Sequence, residues 1–119
     1  MKKYARWVPA LFWMGVIFYL SGRTGSELRG LFPFIENFNL GHFLAYFVLS
    51  GLFHYALAHL TSPGKTSAVS ILLCFLYSLT DEYHQAFVPT RSPEMTDIIN
   101  DLAGAVTAAA IFQIYKKKR

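Results

Sequence analysis

Residues Leu40 to Leu60 contain no Asp, Glu, Lys or Arg. This stretch constrains the fold more than any other feature, because about 20 consecutive apolar residues are what one helix needs to cross the hydrocarbon core of a bilayer. Further apolar runs extend from about Trp7 to Gly22, from about Ser67 to Val88 and from about Met95 to Tyr115. The first is short. The third carries Asp81 and Glu82, and the fourth carries Asp97, Asn100 and Asp101. None shows sustained alternation, and a barrel needs more strands than 119 residues supply. Only 15% of the residues are charged, against about 25% in an average soluble domain, which is too little polar surface to cover a large soluble enzyme core. A 54% hydrophobic content excludes disorder, and a single cysteine excludes a disulfide scaffold. The expectation is a single all-α domain: an integral membrane four-helix bundle with helices at about 7–22, 40–60, 67–88 and 95–115.

The connections fit antiparallel neighbours. Thr61-Ser62-Pro63-Gly64-Lys65-Thr66 reads as a tight turn between the second and third spans. Residues 89–94, Pro-Thr-Arg-Ser-Pro-Glu, form a second tight link, in which Pro89 ends one helix and Ser92 with Pro93 starts the next. Segment 22–39 is the long loop, with Gly22, Gly25, Gly30 and Pro33. Its Leu31, Phe32, Phe34 and Phe38 are expected on the membrane interface or folded back onto the bundle. The first span follows Lys2, Lys3 and Arg6 as a signal peptide would, but Tyr19-Leu20-Ser21-Gly22 offers no small-x-small cleavage site, so it reads as a retained helix.

Four spans put both ends of the chain on one side. Lys2, Lys3, Arg6, Lys65, Lys116, Lys117, Lys118 and Arg119 fall on that side, and Arg23, Arg29 and Arg91 on the other. Eight against three sets both termini in the cytoplasm. The basic tail is then an anchor against anionic lipid headgroups and a topology signal, not a nucleic-acid site. The acids sort the opposite way: Glu27, Glu36, Asp81, Glu82, Glu94, Asp97 and Asp101 all lie in the outer half. The orientation rule does not count acids, so something on the outer side requires carboxylates.

Ionisable groups within a span face one another, a partner or water, since facing lipid costs several kcal/mol each. Asp97, Asn100, Asp101 and Gly104 are spaced i, i+3, i+4 and i+7, which is one helix face. Asp81, His84, Gln85 and Val88 repeat that spacing, with Glu82 turned about 100° away. Gly41-His42 begins the second span, and Tyr46 follows one turn later. The 89–94 link brings Asp81 and Gln85 toward Asp97, Asn100 and Asp101, with Arg91 above them to pair with a carboxylate or a bound anion. Buried polar side chains also serve as glue between helices. Glue does not need four carboxylates, a histidine and an arginine near two helix ends.

Other positions read as structural. His54 is expected to be a hydrogen-bonded core residue, and His59 to lie at the inner interface. Cys74 sits in an apolar run as an inert thiol. Tyr4, Trp7 and Tyr115 fit an interfacial belt. Gly104 and the alanines from Ala103 to Ala110 give a small-residue face for close packing. Gly64-Lys65-Thr66 matches the end of a phosphate-binding loop, but His59 stands where its first glycine belongs. HExxH, GxSxG and CxxC are absent from the sequence, and Ser21, Ser26 and Ser92 form no compelling catalytic order.

Three blocks carry a family resemblance over most of the chain. Phe18-Tyr19-Leu20-Ser21 with Gly25-Ser26 is similar to a first-helix end, and Gly41-His42-Phe43-Leu44-Ala45-Tyr46-Phe47 to a His-x-x-x-Tyr helix start. Asp81-Glu82-Tyr83-His84-Gln85, Phe87-Val88-Pro89, Arg91-Ser92, Asp97, Asn100 and Gly104 are close to the pattern DE-x-x-Q-x-x-x-P-x-R-x-x-x-x-x-D-x-x-x-N-x-x-G, with Thr96 and Asp97 at its Asp position and one residue fewer before Asn100 and one more after it. Together they resemble the VanZ-like family of small membrane proteins, named for a protein linked to teicoplanin resistance. Leu40-Gly41 stands where that family often has Asp-Lys or a similar polar pair. The resemblance implies a bacterial-type cytoplasmic membrane facing the cell envelope, and supplies no reaction.

The sequence therefore leads to a VanZ-like envelope protein acting at its outer face and affecting glycopeptide susceptibility. Its expected site is His42, Asp81, Glu82, Gln85, Arg91, Asp97, Asn100 and Asp101. One alternative is a membrane enzyme, in which the carboxylates with His42 or His84 hold a divalent cation, or one acts as general base. Its substrate would be a lipid-linked or cell-wall phosphate held by Arg91. Another is a proton-coupled transporter or flippase element, in which Asp81 and Asp101 relay protons.

Overall fold

The computed structural model describes residues 2–23, 25–31, 38–88 and 95–118. Among them every regular element is helical: α1 (Lys2–Ala5), α2 (Val8–Ser21), α3 (Gly25–Leu31), α4 (Phe38–Leu57), α5 (Pro63–Gln85) and α6 (Met95–Lys118). The segment expected as a long loop thus holds a short helix, α3, with an Arg23–Glu27 pair at 3.6 Å across its start. Phe32, Phe34 and the 89–94 link, Arg91 included, lie outside the described residues.

Helix ends follow local chemistry. Pro63 opens α5 from an extended Ser62, whose carbonyl accepts from the Thr66 amide at 2.8 Å and the Thr66 hydroxyl at 2.9 Å. The tight turn accordingly falls at residues 58–62, and α5 starts ahead of residue 67. At its far end α5 stops at Gln85, and two turn residues and a bend precede Pro89. The end of α4 is closed from outside. Arg6 donates through Nε and Nη2 to the Tyr55 carbonyl at 3.0 and 2.6 Å, with its guanidinium 4.1 Å from the Tyr55 ring centroid. A cation there matches the negative end of the helix dipole.

Packing is inverted relative to a soluble bundle. On α5 the buried side chains are Thr66, Ser67, Ser70, Cys74, Ser78, Asp81, Glu82 and Gln85, while Val69, Leu72, Leu76 and Leu79 are exposed. A soluble helix buries its leucines and exposes its serines. On α4 only 33% of Leu40–Leu57 is buried, and on α6 only 28% of an 18-residue apolar stretch within Met95–Lys117, so apolar side chains dominate the outside. These two helices are long and apolar enough to cross a membrane; α2, at 14 residues, is apolar but shorter. An outer surface of Leu, Ile, Val and Phe over a polar interior suits lipid as the solvent.

The tightest contact is between α4 and α6. Gly104 lies so close to α4 that an added Cβ would sit 2.2 Å from the Phe43 carbonyl oxygen and 2.9 Å from the Phe47 nitrogen. Ala105, Ala108 and Ala109 continue that buried face, and the Ser50 hydroxyl donates to the Ala105 carbonyl at 3.0 Å. Helix α2 is tied on through Trp13, whose Nε1 donates to the Ala45 carbonyl at 2.9 Å, and through the Tyr77 hydroxyl, which donates to the Met14 carbonyl at 2.5 Å. His54 is fully paired. Its Nδ1 donates to the Ser50 carbonyl at 2.7 Å, so Nε2 accepts from the Ser67 hydroxyl at 2.9 Å, and Gln113 Nε2 donates to that hydroxyl oxygen at 2.7 Å.

Candidate functional site

Three helices each bring an ionisable side chain to one buried place. His42 comes from the first turns of α4, Asp81 from the last turns of α5 and Asp101 from near the start of α6. His42 Nδ1 donates to Asp101 Oδ1 at 2.8 Å, and its Nε2 lies 3.9 Å from Asp97 Oδ1. The i, i+4 pair Asp97–Asp101 therefore brackets the imidazole, Asp101 orienting one nitrogen and Asp97 standing near the other.

Hydroxyl groups complete the carboxylates. Ser78 donates to Asp101 Oδ2 at 2.7 Å. The Tyr46 hydroxyl donates to Asp81 Oδ2 at 3.1 Å, and the Ser21 hydroxyl donates to Asp81 Oδ1. Asp101 is 0% exposed, Asp81 5% and Gln85 1%, so these groups are removed from bulk water. Such donors stabilise a buried carboxylate without neutralising it.

The expected site residues divide as follows. His42, Asp81 and Asp101 form the centre, and Asp97 flanks it. The Asn100 Nδ2 donates to the Thr96 carbonyl at 2.8 Å, one turn back on its own helix. Glu82 is buried although it points about 100° from Asp81, because α5 is covered by α2, α4 and α6 over a wide arc. Gln85 is buried one turn beyond Asp81, and its Oε1 has no hydrogen-bond partner among the described residues. His84 packs outside the centre, stacked on Phe18 at 4.2 Å between ring centroids. Arg91 is outside the described residues. Ser78 is absent from the expected set, although it precedes Asp81 by three residues on the same α5 face. Ser21 was visible only as an outer-side hydroxyl, since its pairing with Asp81 spans sixty positions.

Two kinds of chemistry are open to this arrangement. An imidazole oriented through Nδ1 by a buried carboxylate is a general base or acid at Nε2. Alternatively, one imidazole nitrogen of His42 and one oxygen each of Asp81 and Asp101 lie within 4.8 Å of one another, one imidazole and two carboxylates being a donor set for a divalent cation. No curated protein and no solved structure gave a significant match to the chain. The sequence model of VanZ/LLP1 matches residues 6–116, which contain the whole of this centre. The chain belongs to the VanZ/LLP1 family.

Proposed function

We propose that the chain is a VanZ-type protein of the bacterial cell envelope, spanning the cytoplasmic membrane as a four-helix bundle with both termini inside. It acts through the His42–Asp81–Asp101 centre at the outer mouth and alters susceptibility to glycopeptides such as teicoplanin. The observation that carries this reading is the convergence of three ionisable residues from three helices into one buried cluster, in a molecule whose outside is apolar. Buried charge of this kind in lipid-facing helices marks function more often than stability. The test is teicoplanin susceptibility in cells expressing wild type, Asp101→Asn and Asp81→Asn at matched membrane levels. Wild type shifts susceptibility and both variants do not. Variants as effective as wild type overturn the reading.

A second reading, a membrane enzyme acting on a lipid-linked or cell-wall phosphate, is favoured by the 4.8 Å grouping of His42, Asp81 and Asp101. There the centre holds a divalent cation and Arg91 takes the anion. Titration of purified protein with Mn²⁺ in a calorimeter separates the two. Binding heat that is lost in Asp81→Asn supports the enzyme, and no heat from wild type removes its basis.

A further inference from the structure

Between the middle of α4 and the C-terminal half of α6 the two helices leave a groove of about 420 Å³. Phe47, Gly51 and His54 line it from α4, and Ala108, Phe112 and Tyr115 from α6. Its floor asks for no polar ligand, since both nitrogens of His54 are already paired with Ser50 and Ser67. Gly51 helps make the groove: an added Cβ there meets nothing within 4 Å. At the mouth, Lys116 Nζ lies 5.7 Å from the centroid of the Phe112 ring, and Lys117 follows. The sequence has no Asp or Glu between residues 82 and 94 or after 101, so no carboxylate on α6 answers these lysines from beyond Asp101.

We propose that this groove binds one anionic phospholipid, an acyl chain lying between α4 and α6 and the headgroup phosphate meeting Lys116 and Lys117. The wall of aromatic and aliphatic carbon suits a hydrocarbon chain, and the lysines supply charge complementarity for the phosphate. A second copy of the chain fits less well, because a symmetric pairing here sets two basic tails against each other. The groove shares no lining residue with the acid–histidine centre.

The experiment is native mass spectrometry of the detergent-purified full chain after equilibration with phosphatidylglycerol and phosphatidylcholine of identical acyl chains. Wild type is expected to retain one lipid, phosphatidylglycerol over phosphatidylcholine by several-fold. Gly51→Leu fills the groove from a position with free space, so it keeps the wild-type helicity and melting while losing retention of both lipids. Lys116→Gln with Lys117→Gln keeps a lipid and loses the preference for phosphatidylglycerol. Equal retention of the two lipids by wild type, or unchanged retention in Gly51→Leu, overturns the proposal. A dimer that Gly51→Leu dissociates overturns it in favour of a second copy as occupant.

Discussion

Replacing Gly104 by alanine should force α4 and α6 apart. The new Cβ would sit 2.2 Å from the Phe43 carbonyl oxygen, and ordinary contact begins at 3.4 Å, so the helices must separate locally by about 1.2 Å. Neither obstacle can swing aside, because both Phe43 O and Phe47 N are backbone atoms of one α4 turn. Two hydrogen bonds lie within a turn of the glycine, the part-buried His42–Asp101 at 2.8 Å and the buried Ser50–Ala105 at 3.0 Å, and the separation takes both beyond bonding distance. Overpacking of this kind costs about 1–3 kcal/mol, and each lost hydrogen bond adds about 1 kcal/mol, for a total of about 3–5 kcal/mol. Gly15→Ala and Gly51→Ala are the controls. Nothing lies within 4 Å of their added methyl groups, and alanine is the better helix former by about 1 kcal/mol. Unfolding of the purified chain in detergent, followed by far-ultraviolet circular dichroism, should place Gly104→Ala well below wild type and the controls at or above it. A Gly104→Ala protein as stable as Gly51→Ala refutes the argument.

Ser78→Ala removes the donor from Asp101 Oδ2 in a site without bulk water, and should destabilise by about 1–3 kcal/mol in the same unfolding assay. Cysteine placed at residue 92 in a Cys74→Ala background should react with an impermeant maleimide added to intact cells, whereas cysteine at residue 2 should not; external labelling of residue 2 inverts the topology. Arg91→Lys keeps a charge but loses the planar fork, so if Arg91 recognises an anion, Arg91→Lys and Arg91→Ala should both fold and both lose the teicoplanin phenotype. A fully active Arg91→Lys reduces that residue to charge neutralisation.

Spacing within one helix carried most of what was legible about the site. Asp97 and Asp101, four apart, do flank one side chain, His42, and Tyr46 one turn after His42 reaches Asp81. Gly104, one turn past Asp101, marks the close approach to α4. What escaped the sequence lies between helices or competes locally. The Ser21–Asp81 bond depends on how the short helix α2 leans on α5, which no periodicity encodes. Asn100 has the spacing of the site face, and its Nδ2 also satisfies the carbonyl of Thr96, a local bond open to any asparagine inside a helix that spacing does not reveal. Glu82 belongs to the expected site although it lies off the Asp81 face, and its burial has a different cause. A single-face argument assumes one neighbour, and α5 has three.

The serines of α5 link packing to chemistry. In a lipid-facing helix, small residues let neighbours approach, and serine adds a hydroxyl that must find an acceptor once it is buried. Ser67 meets that need with His54, and Ser78 meets it with Asp101. From α2, Ser21 does the same for Asp81. The side chains that allow the helices to pack closely are therefore the ones that hold the carboxylates in position. Hydroxyl donors differ from lysine or arginine in one respect that matters here: they orient a carboxylate and leave its charge in place. Two carboxylates, Asp81 and Asp101, set against one imidazole, His42, leave these three side chains anionic together even when His42 is protonated, so they favour a further proton or cation among them. The inverted packing of α5 thus makes the site a place where a positive charge is stabilised, which is the property common to a general acid, a metal centre and a binding site for a cationic group.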